Sequence, residues 1–173
     1  MENIELTSTD GIQLEAAIHV AEVRPAIGAV ILAHGITGDM HEEGLFVRLA
    51  ERLSLAGFDV LRFSYRGHGR SGSTQRGVTI AGELLDFQAA VDVVRTKFNP
   101  TISVVAYSFA AVGASLSLSY LENTLRSLVL WNPVPDLKKS FVQPDLPWAQ
   151  ANFNAESVRQ LSRRGYLLLD GAF

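Results

Sequence analysis

Ser108 lies in the run Ser103-Val104-Val105-Ala106-Tyr107-Ser108-Phe109-Ala110-Ala111, where an apolar strand gives way abruptly to small residues of helical character. A serine hydroxyl is a poor nucleophile until a base takes its proton. A tight strand-to-helix turn helps by lifting the oxygen clear of the sheet beside free backbone N–H groups. Such a turn needs small neighbours, and Ala106 and Ala110 stand two residues to either side, where glycine would tolerate the backbone more easily. The competing reading is a serine that caps an ordinary buried helix. The residues that could act as its base, His19, His34, His41 and His68, all precede Ser108.

The elements that must position this serine are legible as hydrophobic periodicity. Ile4 and Leu6, then Ile12, Leu14, Ala16, Ile18 and Val20, alternate with polar residues around Asp10-Gly11, which predicts a hairpin with one buried face. Ala29 to Ala33 is a continuous apolar run of strand length, as in a central strand covered on both faces, and it ends in the turn His34-Gly35-Ile36-Thr37-Gly38. Leu45, Phe46, Leu49, Leu53 and Ala56 recur at helical spacing up to Gly57, and the strand Phe58 to Phe63 follows. Leu84, Phe87, Val91, Val94 and Phe98 step by three and four, giving a helix that Asn99-Pro100 should end. The Ser108 strand, a helix to about Tyr120 and a strand from Leu125 to Trp131 complete the series. This alternation predicts an α/β fold: a mostly parallel sheet with helices on both faces, fronted by an N-terminal antiparallel hairpin. Beyond Trp131 prolines cluster, and Asn154 to Arg164 reads as a helix with a basic end, more simply a solvated face than a binding one.

The order strand, His34-Gly35-Ile36-Thr37-Gly38, helix, strand, Tyr65-Arg66-Gly67-His68-Gly69-Arg70-Ser71, helix, strand, Ser108 turn, helix, strand resembles the α/β-hydrolase superfamily over residues 1 to about 135. The two loops, with Thr79-Ile80-Ala81-Gly82-Glu83 before the next helix, look most like cap-bearing feruloyl or cinnamoyl esterases and related serine hydrolases. The resemblance implies that Ser108 is the nucleophile. It also implies that the backbone N–H groups of Ile36 and Phe109 form the oxyanion hole, acting where negative charge develops. His34 would brace the oxyanion loop rather than catalyse, and His68 would belong to a loop-bracing turn.

Other chemistries fit less well. Gly67, Gly69 and Gly72 satisfy a dinucleotide-type spacing, but Ser73 to Gly77 are turn formers that delay the helix N-terminus a pyrophosphate would need. Asp39, His41, Glu42 and Glu43 read as a solvated loop and helix start rather than a metal site, so neither metal nor cofactor is expected. With 173 residues, 47% hydrophobic, the chain can bury one sizeable core. A net charge of −3 gives no basic field for nucleic acid, and the lack of cysteine removes disulfides and thiolate metal sites. The polar start Met1 to Glu5 and the lack of a long apolar run lead to the expectation of a soluble, cytoplasmic protein that does not use a membrane.

In this superfamily the acid and then the histidine follow the nucleophile. Here the chain closes at Asp170-Gly171-Ala172-Phe173, so the resemblance predicts an incomplete core (residues 1–135), truncated after the sixth strand, followed by the start of a cap (residues 136–173). Asp136 falls where some members carry their acid, yet it has no later histidine to orient. The expected function is a carboxylesterase-type serine hydrolase scaffold using an acyl-enzyme on a small ester or thioester, inactive or weakly active as this chain. The alternative is a non-catalytic binding or assembly module on the same half-sheet. An apolar edge at Ser127 to Trp131 should need cover, from residues 136–173, from a second copy in a homo-oligomer, or from a complementary chain.

Overall fold

A computed structural model of the chain describes residues 1–98 and 101–164. Six strands form one sheet: β1 (Glu2–Thr7), β2 (Gln13–His19), β3 (Gly28–Ala33), β4 (Phe58–Phe63), β5 (Ile102–Tyr107) and β6 (Leu125–Trp131). They lie in the order β1-β2-β4-β3-β5-β6. β1 and β2 are an antiparallel hairpin turned at Gly11, β2 joins β4 antiparallel, and every later pairing is parallel. The helices are α1 (Leu45–Leu55), α2 (Ile80–Lys97), α3 (Ala110–Leu116), α4 (Leu118–Leu121), α5 (Pro147–Asn152) and α6 (Ala155–Arg164).

Alternation along the buried strands gives the sheet two apolar faces. Val30, Leu32 and Val60 pack with Phe46 and Ala50 of α1 on one side. Ile31, Ala33, Leu61, Phe63, Val104 and Ala106 pack with Phe87, Val91 and Val94 of α2 and Ala110, Ala111 and Ala114 of α3 on the other. The expected layering, helices on both faces of a mostly parallel sheet behind an antiparallel hairpin, is therefore the observed one. Two local readings change. β2 has one buried face only near its start; from Ala16 to His19 both faces are buried, with α1 packed against the strand on the second side. The helix expected to run to about Tyr120 breaks at Ser117, whose ψ of 3° separates α3 from α4. The helix end expected at Asn99-Pro100, and Asp170 to Phe173, lie outside the described residues.

The chain leaves β3 through α1 to β4 on one side, then crosses through α2 to β5 on the other side of β3. The connections therefore diverge between β3 and β5, and the carboxyl ends of such a strand pair are the position where α/β sheets bind ligands. The apolar edge is where the sequence put it. Among the described residues β6 pairs only with β5, and Val129, Leu130 and Trp131 remain exposed. In the segment after Pro135, Phe141 meets Phe109 edge-on at 5.4 Å, and Phe153 meets Phe141 at 4.7 Å.

α2 starts at Thr79, whose hydroxyl accepts from the Gly82 N–H at 3.0 Å. Its buried face carries two carboxyl groups one turn apart, Glu83 and Asp86. Asp86 is fully buried and receives the Arg66 side chain, with Nη2 at 2.7 Å, and the Arg66 backbone N–H at 2.9 Å. Glu83 is pushed up to about 8, first by burial and then by the neighbouring negative charge of Asp86, with Arg66 opposing. The folded chain thus keeps a proton on Glu83 between its ordinary value near 4.5 and about 8, while the unfolded chain releases it. Stability from this group is full below that window and declines as pH rises through it. Glu83→Gln is expected to flatten the decline and to exceed the wild type at pH 8 by at least about 1 kcal/mol. Urea unfolding of both proteins at pH 5 and pH 8 measures this; a wild type that gains stability across the interval contradicts it.

Candidate functional site

Ser108 follows β5 directly and has φ +53°, a left-handed conformation that costs a non-glycine residue about 1–2 kcal/mol. The strand does not fade into the turn. The Ser108 N–H still donates to the Trp131 carbonyl on β6 at 2.9 Å, while the Ser108 carbonyl already accepts from the Ala111 N–H at 3.2 Å and so opens the next helix. Strand pairing on one side and helix start on the other pin the serine between two backbone directions, which sustains the strain. Its side chain is half-buried, and among the described residues its hydroxyl makes no hydrogen bond.

The loop after β3 reaches this serine through sheet register. Ala33 pairs with Ala106, and the same offset sets Gly35 beside Ser108. A Cβ on Gly35 would lie 3.2 Å from the Ser108 Cβ and 3.6 Å from its Oγ, so glycine lets the loop pass close to the hydroxyl. The next residue, Ile36, offers its backbone N–H. Neither that N–H nor that of Phe109 donates to a protein acceptor among the described residues.

Two side chains and one backbone N–H hold this loop. His34 is buried; its Nε2 accepts from the Tyr65 N–H at 2.9 Å, which leaves the proton on Nδ1, and Nδ1 donates to the Gly35 carbonyl at 2.7 Å. Burial, and then the neighbouring His68, lower His34 to about 3, so it stays neutral and keeps this tautomer. Gly38 N–H reaches the same Gly35 carbonyl at 3.1 Å. Because a trans peptide points its C=O and N–H in opposite directions, fixing the Gly35 carbonyl also fixes the Ile36 N–H.

Glu42 supplies the third hold. It was expected in a solvated helix start, but a tight turn at Glu42–Gly44, with φ +43° at Glu42 and +52° at Glu43, tucks its carboxyl under the loop. Oε2 accepts from the Gly35 N–H at 3.2 Å, and the group lies so close to Gly38 that a Cβ there would collide with it. Burial raises Glu42 above the ordinary carboxyl range, while the Gly35 hydrogen bond opposes this. The positive φ at two successive acidic residues has no signature in composition, which is why sequence reading missed this contact.

The remaining histidines are also committed or distant. His68 bonds two backbone carbonyls, His19 accepts from the Arg62 Nε at 3.1 Å, and His41 is exposed with no side-chain bond among the described residues. None is bonded to Ser108. Asp136 Oδ1 accepts from the Lys139 N–H at 3.1 Å, as a turn-capping aspartate does. Among the described residues no group of three or more His, Asp or Glu side chains is arranged to hold a metal ion.

Residues 24–166 match the family described as serine aminopeptidase, S33, which covers most of the chain. The chain belongs to this α/β-hydrolase family. As a member it is a serine-hydrolase scaffold, and its relatives agree. The esterase Pf2001 of Pyrococcus furiosus superposes with a TM-score of 0.71 at 25% identity, over 86% of this chain and 57% of that one. Est1E of Butyrivibrio proteoclasticus, solved with ferulic acid bound, gives a TM-score of 0.71 at 24% identity over 80% of this chain and 57% of that one, a likeness of fold. The uncharacterized protein YfhR of Escherichia coli is 38% identical over 98 residues, 54% of this chain and 32% of that protein. The chain thus spans little more than half the length of these structural relatives. No helix among its described residues is long and apolar enough to cross a membrane.

Proposed function

We propose that the hydrolase carries the nucleophile and the oxyanion hole of a carboxylesterase-type acyl transfer, with Ser108 as nucleophile and the N–H groups of Ile36 and Phe109 as oxyanion donors. The observation that carries this reading is the left-handed Ser108 turn, with its unbonded hydroxyl facing the glycine that precedes Ile36. Ser108 Oγ attacks the carbonyl carbon of a small ester or thioester as a base takes its proton. The carbonyl oxygen becomes an anion met by the two N–H groups. The alcohol or thiol then leaves with a proton, and water releases the acyl group from Ser108 by the same steps.

The base is the part that residues 1–173 do not provide. All four histidines precede Ser108, and His19, His34 and His68 are already bonded elsewhere. The acid and histidine therefore come from outside the described residues, on protein that pairs with the open β6 edge, whether continuous chain or complementary partner. Residues 136–173 are the start of a cap, a role supported by the contact of Phe141 with Phe109 beside the nucleophile.

Alone, this chain is expected to react slowly with a fluorophosphonate at Ser108. Added imidazole, standing in for the missing base, should accelerate labelling by at least about tenfold, less than the roughly 10²–10⁴-fold that a positioned base supplies. Ser108→Ala should abolish labelling, as intact mass and peptide mapping would show. If no labelling occurs at any pH or imidazole concentration, the reading fails in favour of a non-catalytic binding module whose contact surface is the exposed Val129, Leu130 and Trp131.

A further inference from the structure

We infer that His68 is a positioning residue for the oxyanion hole, acting through the Ile36 carbonyl; this rests on the acyl-transfer reading above. His68 lies on the loop after β4, 3% exposed, and its ring meets that of His34 edge-on at 5.1 Å. Its two ring nitrogens face two carbonyl oxygens: Nδ1 lies 2.9 Å from the Arg66 oxygen, and Nε2 lies 2.6 Å from the Ile36 oxygen, 32 residues away in sequence. A carbonyl only accepts, so each nitrogen must donate, and both bonds form together only when the ring carries a proton on each nitrogen.

The consequence falls on the peptides either side of Ile36. His34 and the Gly38 N–H hold the Gly35 carbonyl, and His68 holds the Ile36 carbonyl. With both carbonyls fixed, both peptide planes flanking the Ile36 Cα are set, and the Ile36 N–H keeps one direction before any substrate arrives. Preorganisation of this kind is what makes an oxyanion donor effective, because no reorganisation is needed as charge develops. The brace is itself anchored, since the Arg66 N–H donates to the buried Asp86 carboxylate at 2.9 Å. Strand β4 and helix α2 thereby hold a donor that belongs to the loop after β3.

Two substitutions separate the bonds. A glutamine amide reaches about as far as the imidazole Nε2, and an asparagine amide about as far as Nδ1. His68→Gln is therefore expected to keep the bond to Ile36, and His68→Asn only the bond to Arg66. In the imidazole-assisted fluorophosphonate assay, His68→Asn should label Ser108 at least tenfold more slowly at saturating probe, with little change in half-saturating concentration, and His68→Gln should recover most of the rate. Amide hydrogen exchange at Gly38 should quicken in His68→Asn and be largely restored in His68→Gln, and thermal melts of both variants report whether either has lost its fold. Equal loss of labelling in both variants, unchanged labelling in His68→Asn, or wild-type exchange at Gly38 in both overturns the inference. If the wild type itself fails to label, the acyl-transfer reading falls, and any catalytic meaning of the brace with it, while exchange still reads the brace directly.

Discussion

Replacing Asp86 with alanine is expected to destabilise the protein by roughly 3–5 kcal/mol, the cost of stranding a buried charge. Asp86 is fully buried and accepts from Arg66 through Nη2 at 2.7 Å, Nε at 3.0 Å and the backbone N–H at 2.9 Å. Without it, the guanidinium is left with Asp10, a more exposed partner on the hairpin turn at 2.7 Å, and with the Ser8 hydroxyl at 3.2 Å. The cluster joins the β1–β2 turn, the loop after β4 and helix α2, so its loss loosens three elements. The double variant Arg66→Met/Asp86→Leu removes both charges and should be less destabilised than Asp86→Ala. Urea denaturation of the three proteins at pH 7 provides the comparison, and a loss under about 1 kcal/mol for Asp86→Ala would show that water or another group compensates the guanidinium.

Gly67→Ala is expected to cost roughly 2–5 kcal/mol, combining left-handed strain with overpacking. Gly67 has φ +74°, and a Cβ there would lie 2.6 Å from the Thr74 carbonyl carbon and 2.7 Å from its oxygen. Those atoms are backbone and cannot swing aside. Gly11→Ala isolates the strain, because Gly11 has φ +89° with no atom within 4 Å of an added Cβ, and it should cost only about 1–2 kcal/mol. Melting curves that rank Gly11→Ala as the more damaging substitution would refute the packing explanation. The Gly67 loop carries His68, so the same substitution is expected to slow fluorophosphonate labelling of any molecules that remain folded.

Much of the frame was legible because hydrophobic periodicity is local. Ala29 to Ala33 announces a strand covered on both faces, and the three-and-four spacing of Phe87, Val91 and Val94 announces the face of α2 that packs on it. The abrupt change after Tyr107 marked the Ser108 turn, and Gly35 was legible as part of a turn, although only sheet register showed that it approaches Ser108. Periodicity gave no warning of the break at Ser117 or of the second buried face of β2, since both depend on what packs alongside. Glu42 was misplaced for a related reason: an acidic residue before a helix ordinarily complements the dipole in solvent, and only the left-handed turn at Glu42 and Glu43 brings the carboxyl inward. The spacing of Glu83 and Asp86 on the same face as Phe87 was the available sign that two carboxyl groups would be buried.

The sequence by itself determined the kinds of element, their order, the glycine-bearing turns and a serine on a strand-to-helix turn, because each is specified by neighbours within a few residues. The tertiary structure alone decided the partners: Arg66 with Asp86 rather than another acid, His34 and His68 turned toward backbone carbonyls, and Glu42 under Gly35. Polar side chains of one charge are interchangeable in a sequence. Their pairing follows from sheet register and loop path, which are set by long-range packing of the apolar faces.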